Sequence, residues 1–148
     1  MITSILISVL SVLLLAYWFR YTCQLILGAR TSKDYAQQVA IANQLSFVDV
    51  HARLREDASA RLDPLWQSLD KDYRILTYLL RHAADFDLGG STVEQRMLMV
   101  DFVVMRFVYS LGNRFSNSMA RRALTEMSEI LSHFAHVLGE RAASASHV

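Results

Sequence analysis

Residues 63–86, DPLWQSLDKDYRILTYLLRHAADF, decide the fold class. Pro64 is the only proline in the 148-residue chain. Its fixed φ suits a first helical turn, with Asp63 before it as N-cap. Leu62, Trp66, Leu69, Tyr73, Leu76, Leu80 and Ala83 recur at spacings of three and four, which places one apolar stripe along a helix. Gly89-Gly90 then supplies a stop. No stretch of the chain sustains the two-residue alternation of a half-buried strand, so the sequence predicts an all-α protein.

Working towards the C-terminus, residues 91–114, STVEQRMLMVDFVVMRFVYSLGNR, open with Ser91 and Glu94 at capping-box spacing and run to Gly112-Asn113. The wheel of this helix is apolar nearly all round, which predicts a central position. A second membrane span is not expected, because Arg96, Asp101 and Arg106 interrupt it. Residues 118–141, SMARRALTEMSEILSHFAHVLGER, place Ala120, Ala123, Leu124, Met127, Ile130, Leu131, Phe134, Val137 and Leu138 on one face.

Towards the N-terminus, residues 31–62 carry two stripes: Ile41, Leu45, Val48 and Ala52, and Phe47, Val50, Leu54 and Ala58. They fit either one two-faced helix or a break at Ser46, which has Asp49 at capping-box spacing. The simplest assembly is an antiparallel bundle of three to four amphipathic helices with short connections.

The first twenty residues, MITSILISVLSVLLLAYWFR, contain no charge before Arg20. Roughly twenty apolar residues cross a hydrocarbon layer of about 30 Å as a helix. Tyr17, Trp18 and Phe19 fall where an aromatic belt belongs, and Arg20 falls among head groups. An export signal would start with basic residues and end at a small-residue cleavage site, and this stretch has neither. The expectation is a retained single-pass anchor, with an exported soluble helical domain as the alternative. Arg20, Arg30 and Lys33 follow the span and no Lys or Arg precedes it. The positive-inside rule therefore predicts an outside N-terminus and a cytoplasmic C-terminal domain, as in a bacterial inner membrane. The organisation expected is an anchor and juxtamembrane segment at 1–30, a helical domain at 31–141 and a disordered tail at 142–148.

Fifteen Lys plus Arg oppose fourteen Asp plus Glu, for a net charge of +1. Such a balance argues against a nucleic-acid binder, whose affinity comes mainly from neutralised phosphates. The single cysteine, Cys23, rules out a disulfide within the chain and a multi-thiolate zinc site.

The densest polar group is Glu129, His133, His136 and Glu140, which share one face of a helix. Imidazole with carboxylate one turn away can hold zinc, iron or manganese. The group lies opposite the Leu131, Phe134 and Leu138 face, so an outward, solvated position is expected and a metal- or cofactor-binding bundle is the alternative. Asp101 lies among Met97, Met105 and Val108. A buried carboxylate there needs a partner, expected to be Arg74 or Arg81 in a structural ion pair, with a carboxylate lining a ligand pocket as the alternative. Arg114, Arg121 and Arg122 form a basic corner suited to a partner surface, or to simple solvation. No phosphate loop, Ser-His-Asp pattern, Cys-x-x-Cys or His-Glu-x-x-His occurs. These features predict a non-catalytic membrane-anchored protein without a cofactor. It would act as an accessory, scaffolding or regulatory subunit that binds another protein or a second copy of itself.

Overall fold

The computed structural model describes residues 1–28, 35–86 and 93–146. They form six α-helices: α1 (Ile2–Gly28), α2 (Tyr35–Ala42), α3 (Phe47–Glu56), α4 (Leu62–Phe86), α5 (Val93–Phe115) and α6 (Asn117–Ala145). No strand occurs among the described residues. The chain divides into two compact units, Met1–Arg30 and Thr31–Val148. Gly89, Gly90 and Ser91, proposed above as a helix stop and cap, lie outside the described residues, as do Arg30 and Lys33.

The first unit is one unbroken helix of 27 residues, about 40 Å long. It is long and apolar enough to cross a membrane. Every residue from Ile2 to Trp18 is exposed. The hydroxyls of Ser11 and Thr22 donate back to the carbonyls of Ile7 (2.8 Å) and Trp18 (2.9 Å). These bonds satisfy two of the hydroxyl groups of a mostly apolar helix. The segment after Arg20 continues the same helix for eight more residues.

In the second unit α6 is the hub, packed against α2, α3, α4 and α5. This corrects the expectation that the helix at 93–115 would be central. The reason is side-chain size. The buried positions of α6 include Ala120, Ala123, Ala135 and Gly139 beside Leu124, Met127, Ile130, Leu131 and Phe134. Small residues between large ones let several helices approach it closely. Gly139 shows this directly, because a Cβ there would collide with the Cβ of Tyr35 on α2. Gly112 has the same use. It does not end α5, as the sequence suggested, but sits buried within it, where a Cβ would stand 2.7 Å from the backbone nitrogen of Ala120. The contact lets α5 turn into α6 through the single residue Ser116, whose N–H bonds the Gly112 carbonyl at 2.7 Å.

The chain does break at Ser46. Gln44 takes a positive φ of 52°, and the Leu45 N–H closes back on the Ala40 carbonyl at 2.9 Å. The Ser46 hydroxyl does not cap α3. A carboxylate from another helix does so instead. Asp72, 1% exposed on α4, accepts the Ser46 N–H at 2.6 Å, and the Phe47 N–H also points at it. At the other end of α3, the Arg121 guanidinium on α6 donates to the carbonyls of Leu54 (2.7 Å), Asp57 (2.8 Å) and Ala58 (3.0 Å). A ten-residue helix is marginal alone. This one is held by Phe47, Val50 and Leu54 in the core and by an anion and a cation at the ends its dipole favours. Its His51 Nδ1 also meets the buried Ser128 hydroxyl at 2.8 Å.

The α4 stripe is buried at Leu62, Leu65, Leu69, Leu76 and Leu80. The helix starts at Leu62, so Asp63 lies in its first turn and not at the cap. Its carboxylate accepts the Tyr109 hydroxyl at 2.9 Å. Burial, and then this bond, push the Tyr109 phenol well above its ordinary pKa. The α4–α5 seam is bridged by rings: Tyr73 stacks on Phe102 at 4.0 Å and Trp66 on Tyr109 at 5.2 Å.

The last correction concerns the C-terminus. Helix α6 runs to Ala145, so residues 142–145 are helical and not part of a disordered tail. Alanines favour the helix. The hydroxyls of Ser144 and Ser146 donate to the carbonyls of Arg141 and Ala143, both at 2.8 Å.

Candidate functional site

Helix α5 buries Leu98, Asp101, Phe102, Met105, Tyr109 and Gly112 on one side and leaves a second apolar side in solvent. Val93 (73%), Val100, Val103, Val104, Phe107 (65%), Leu111 and Phe115 (82%) are exposed. At 100° per residue, Val93, Val100, Val104, Phe107 and Leu111 fall within about 60° of one another. With the half-buried Met97 their spacing is four, three, four, three, four. That is the seam pattern by which one helix receives another. Isolated exposed aliphatic side chains are ordinary, whereas these form a contiguous row along one side of α5.

The two borders of this row differ in charge. On the side facing α4, the exposed residues of α5 include Arg96 and Arg106. Arg106 lies over the Trp66 ring at 5.2 Å and pairs with Asp70 at 3.4 Å. Beyond it, Tyr73, Arg74, Thr77, Tyr78 and Arg81 of α4 and Met99 of α5 line an open groove of about 260 Å³. Arg74 pairs with Asp70 at 3.0 Å yet its side chain is 75% exposed. The opposite border carries Glu94.

The residues singled out from the sequence are distributed as follows. Tyr17 and Trp18 are exposed on α1, followed in the same helix by Phe19 and Arg20. Asp101 is buried with no exposed surface. Of the arginines considered for it, Arg74 pairs with Asp70 and Arg81 lines the α4–α5 groove. The basic corner divides: Arg114 and Arg122 are exposed, whereas Arg121 is taken up by the end of α3.

The Glu129, His133, His136 and Glu140 group is less outward than expected. Glu129 and Glu140 are exposed, but His133 and His136 are half-buried, because α2 and α5 both close on this side of α6. The His136 ring lies 5.7 Å from that of Tyr35, and its Nε2 is 3.3 Å from the Glu140 carboxylate. Burial lowers the His133 pKa, and Glu94 opposes the shift. Among the described residues no three His, Cys, Asp or Glu side chains gather as a metal ion would require.

Sequence reasoning missed two features. Asp72 looked like one more charge on α4, and only its place in the buried stripe, between Leu69 and Leu76, signals a cap in trans. The α5 row was hidden because apolar residues surround it; its four-three spacing was the readable signal. Comparison of the chain with protein-family models, curated protein sequences and solved structures finds no match.

Proposed function

We propose that the chain is a non-catalytic, single-pass membrane protein whose C-terminal helical bundle docks onto another protein, as an accessory, scaffolding or regulatory subunit of a membrane complex. In this reading α1 is the retained anchor and the bundle lies on the cytoplasmic side, as the basic flank Arg20, Arg30 and Lys33 suggests. The observation that carries the reading is the exposed apolar row of α5. A contiguous exposed apolar row of this kind favours a docking subunit over a lone soluble domain. Three polar side chains of the bundle are spent on packing: Asp72 and Arg121 hold α3, and Asp63 holds Tyr109.

Purification in mild detergent at native abundance, with crosslinking in native membranes, tests this reading. A stoichiometric second protein is expected. A lone monomer that captures nothing in the membrane would overturn the proposal. Carbonate extraction and a protease-protection assay on the C-terminus test the anchor and its orientation.

A further inference from the structure

We infer that the α5 face receives one amphipathic helix of the partner, with an aliphatic ridge and acidic side chains along a single border. The inference rests on the docking role proposed above and names the chemistry of its occupant. The apolar row supplies the seam: Val93, Met97, Val100, Val104, Phe107 and Leu111 repeat at four and three over about 27 Å, five turns of a facing helix. Apolar side chains at all six seam positions suit knobs-into-holes packing of one helix on another. The charge sits on one side only. Towards α4 the seam borders Arg96, and the adjoining groove adds Arg74 and Arg81, set two turns apart and flanked by Tyr73 and Tyr78. A facing helix whose carboxylates recur every seven residues along one edge would lay them into this groove while its ridge covers the valines.

Other occupants fit less well. Two copies of α5 paired antiparallel set the arginine border against itself, and a parallel pair sets it against a border where α5 itself supplies one exposed acid, Glu94. An anionic bilayer prefers a helix with cations on both sides of its apolar face. Here they lie on one, with Glu94 on the other.

The test uses the full chain in its native membrane, with the photoreactive residue p-benzoylphenylalanine in place of Phe107 and, as a control, in place of the exposed Glu129. The adduct is identified by mass spectrometry. The expected product joins residue 107 to a segment of another protein whose apolar residues recur at three and four and whose Asp or Glu residues share one flank. Adding Arg74→Glu and Arg81→Glu should lower the yield about tenfold. Arg81→Glu alone leaves the Arg74–Asp70 pair intact and should still lower it about threefold. Unchanged circular dichroism shows that the variants fold.

Crosslinks to α5 of a second copy or to lipid, a captured segment without acidic residues, or a yield insensitive to both arginine variants would each overturn the inference. If residue 107 captures nothing while a partner still co-purifies, the docking role survives and this face is excluded. If neither occurs, both proposals fail.

Discussion

Arg121→Ala should release the C-terminal end of α3. Three carbonyls lose a cationic donor, but they do not weigh equally. The Asp57 and Ala58 carbonyls are exposed, so water replaces the guanidinium there at little cost. The Leu54 bond, 2.7 Å and half-buried, is charge-assisted, and such bonds contribute about 1.5–3 kcal/mol. A cation in the last turn adds about 0.3–1 kcal/mol through the helix dipole. The expected loss is therefore about 2–4 kcal/mol, and at 1.4 kcal/mol per factor of ten the opening of α3 should rise roughly thirty- to several-hundredfold. Native-state hydrogen exchange on the full chain in detergent reads this directly, because the effect should concentrate in the amides of α3. Arg121→Lys keeps the charge without the planar fork and should recover about half the loss. If α3 amides in Arg121→Ala exchange at the wild-type rate, the three bonds are not what holds this helix. If lysine restores everything, only the charge matters.

Asp72→Ala should cost about 2–4 kcal/mol, because it leaves the Ser46 and Phe47 N–H groups without their acceptor. Denaturant melts at neutral pH measure it. Burial raises the Asp72 pKa above its ordinary 3.8, so the part of its contribution tied to its titration is fully present below about pH 4 and is lost as pH rises through the raised value, while its acceptor role towards Ser46 and Phe47 persists at neutral pH. The wild-type minus Asp72→Asn difference in melting temperature should follow that slope. For His133 burial lowers the pKa, so its contribution is present above about pH 6.5 and is lost as pH falls through the lowered value; His133→Gln should flatten the stability curve in that window. Gly139→Ala and Gly112→Ala should each destabilise by up to about 2 kcal/mol, since overpacking of about 1–3 kcal/mol opposes a helix-propensity gain of about 1 kcal/mol. At Gly28, where an added Cβ meets nothing, alanine should be neutral or mildly stabilising.

The sequence shows which segments are helical because a period of three and four is a local property. Residues 63–86 show it most plainly, whereas the two stripes of residues 31–62 fitted a two-faced helix as well as a break at Ser46. The rank of the helices was not readable in the same way. Residues 93–115 are more apolar than residues 117–145, yet the latter form the hub. Apolar composition says that a helix will be covered but not by what, and α5 keeps an exposed side. Small residues decide centrality, and Gly112 reads as an ordinary stop until its neighbours are known. Charges that act at long range were the least legible. Asp72 lies 26 residues from the N–H that it receives and Arg121 lies 67 from the Leu54 carbonyl. Local pattern made one a surface charge and the other a partner contact.

These two residues bear on function through what they leave available. The net charge of +1 suggests a bland surface, but charges spent inside the fold do not present themselves outside it. Asp72 is buried, Asp63 holds Tyr109, and Asp70, only 16% exposed, is shared by Arg74 and Arg106. Asp70 and Asp72 of α4 are thus drawn inward, while Arg74 and Arg81 stay at the surface near the apolar row of α5. An overall neutral chain thereby acquires a locally cationic, apolar face without any basic run in its sequence. Such a face need not bind tightly. If α1 anchors the domain in the same bilayer as its partner, confinement raises the effective concentration, and contacts too weak to survive dilution would hold at that surface. Mild-detergent extraction should then retain the complex only when salt is low, because screening weakens the arginine border while leaving the valine seam intact.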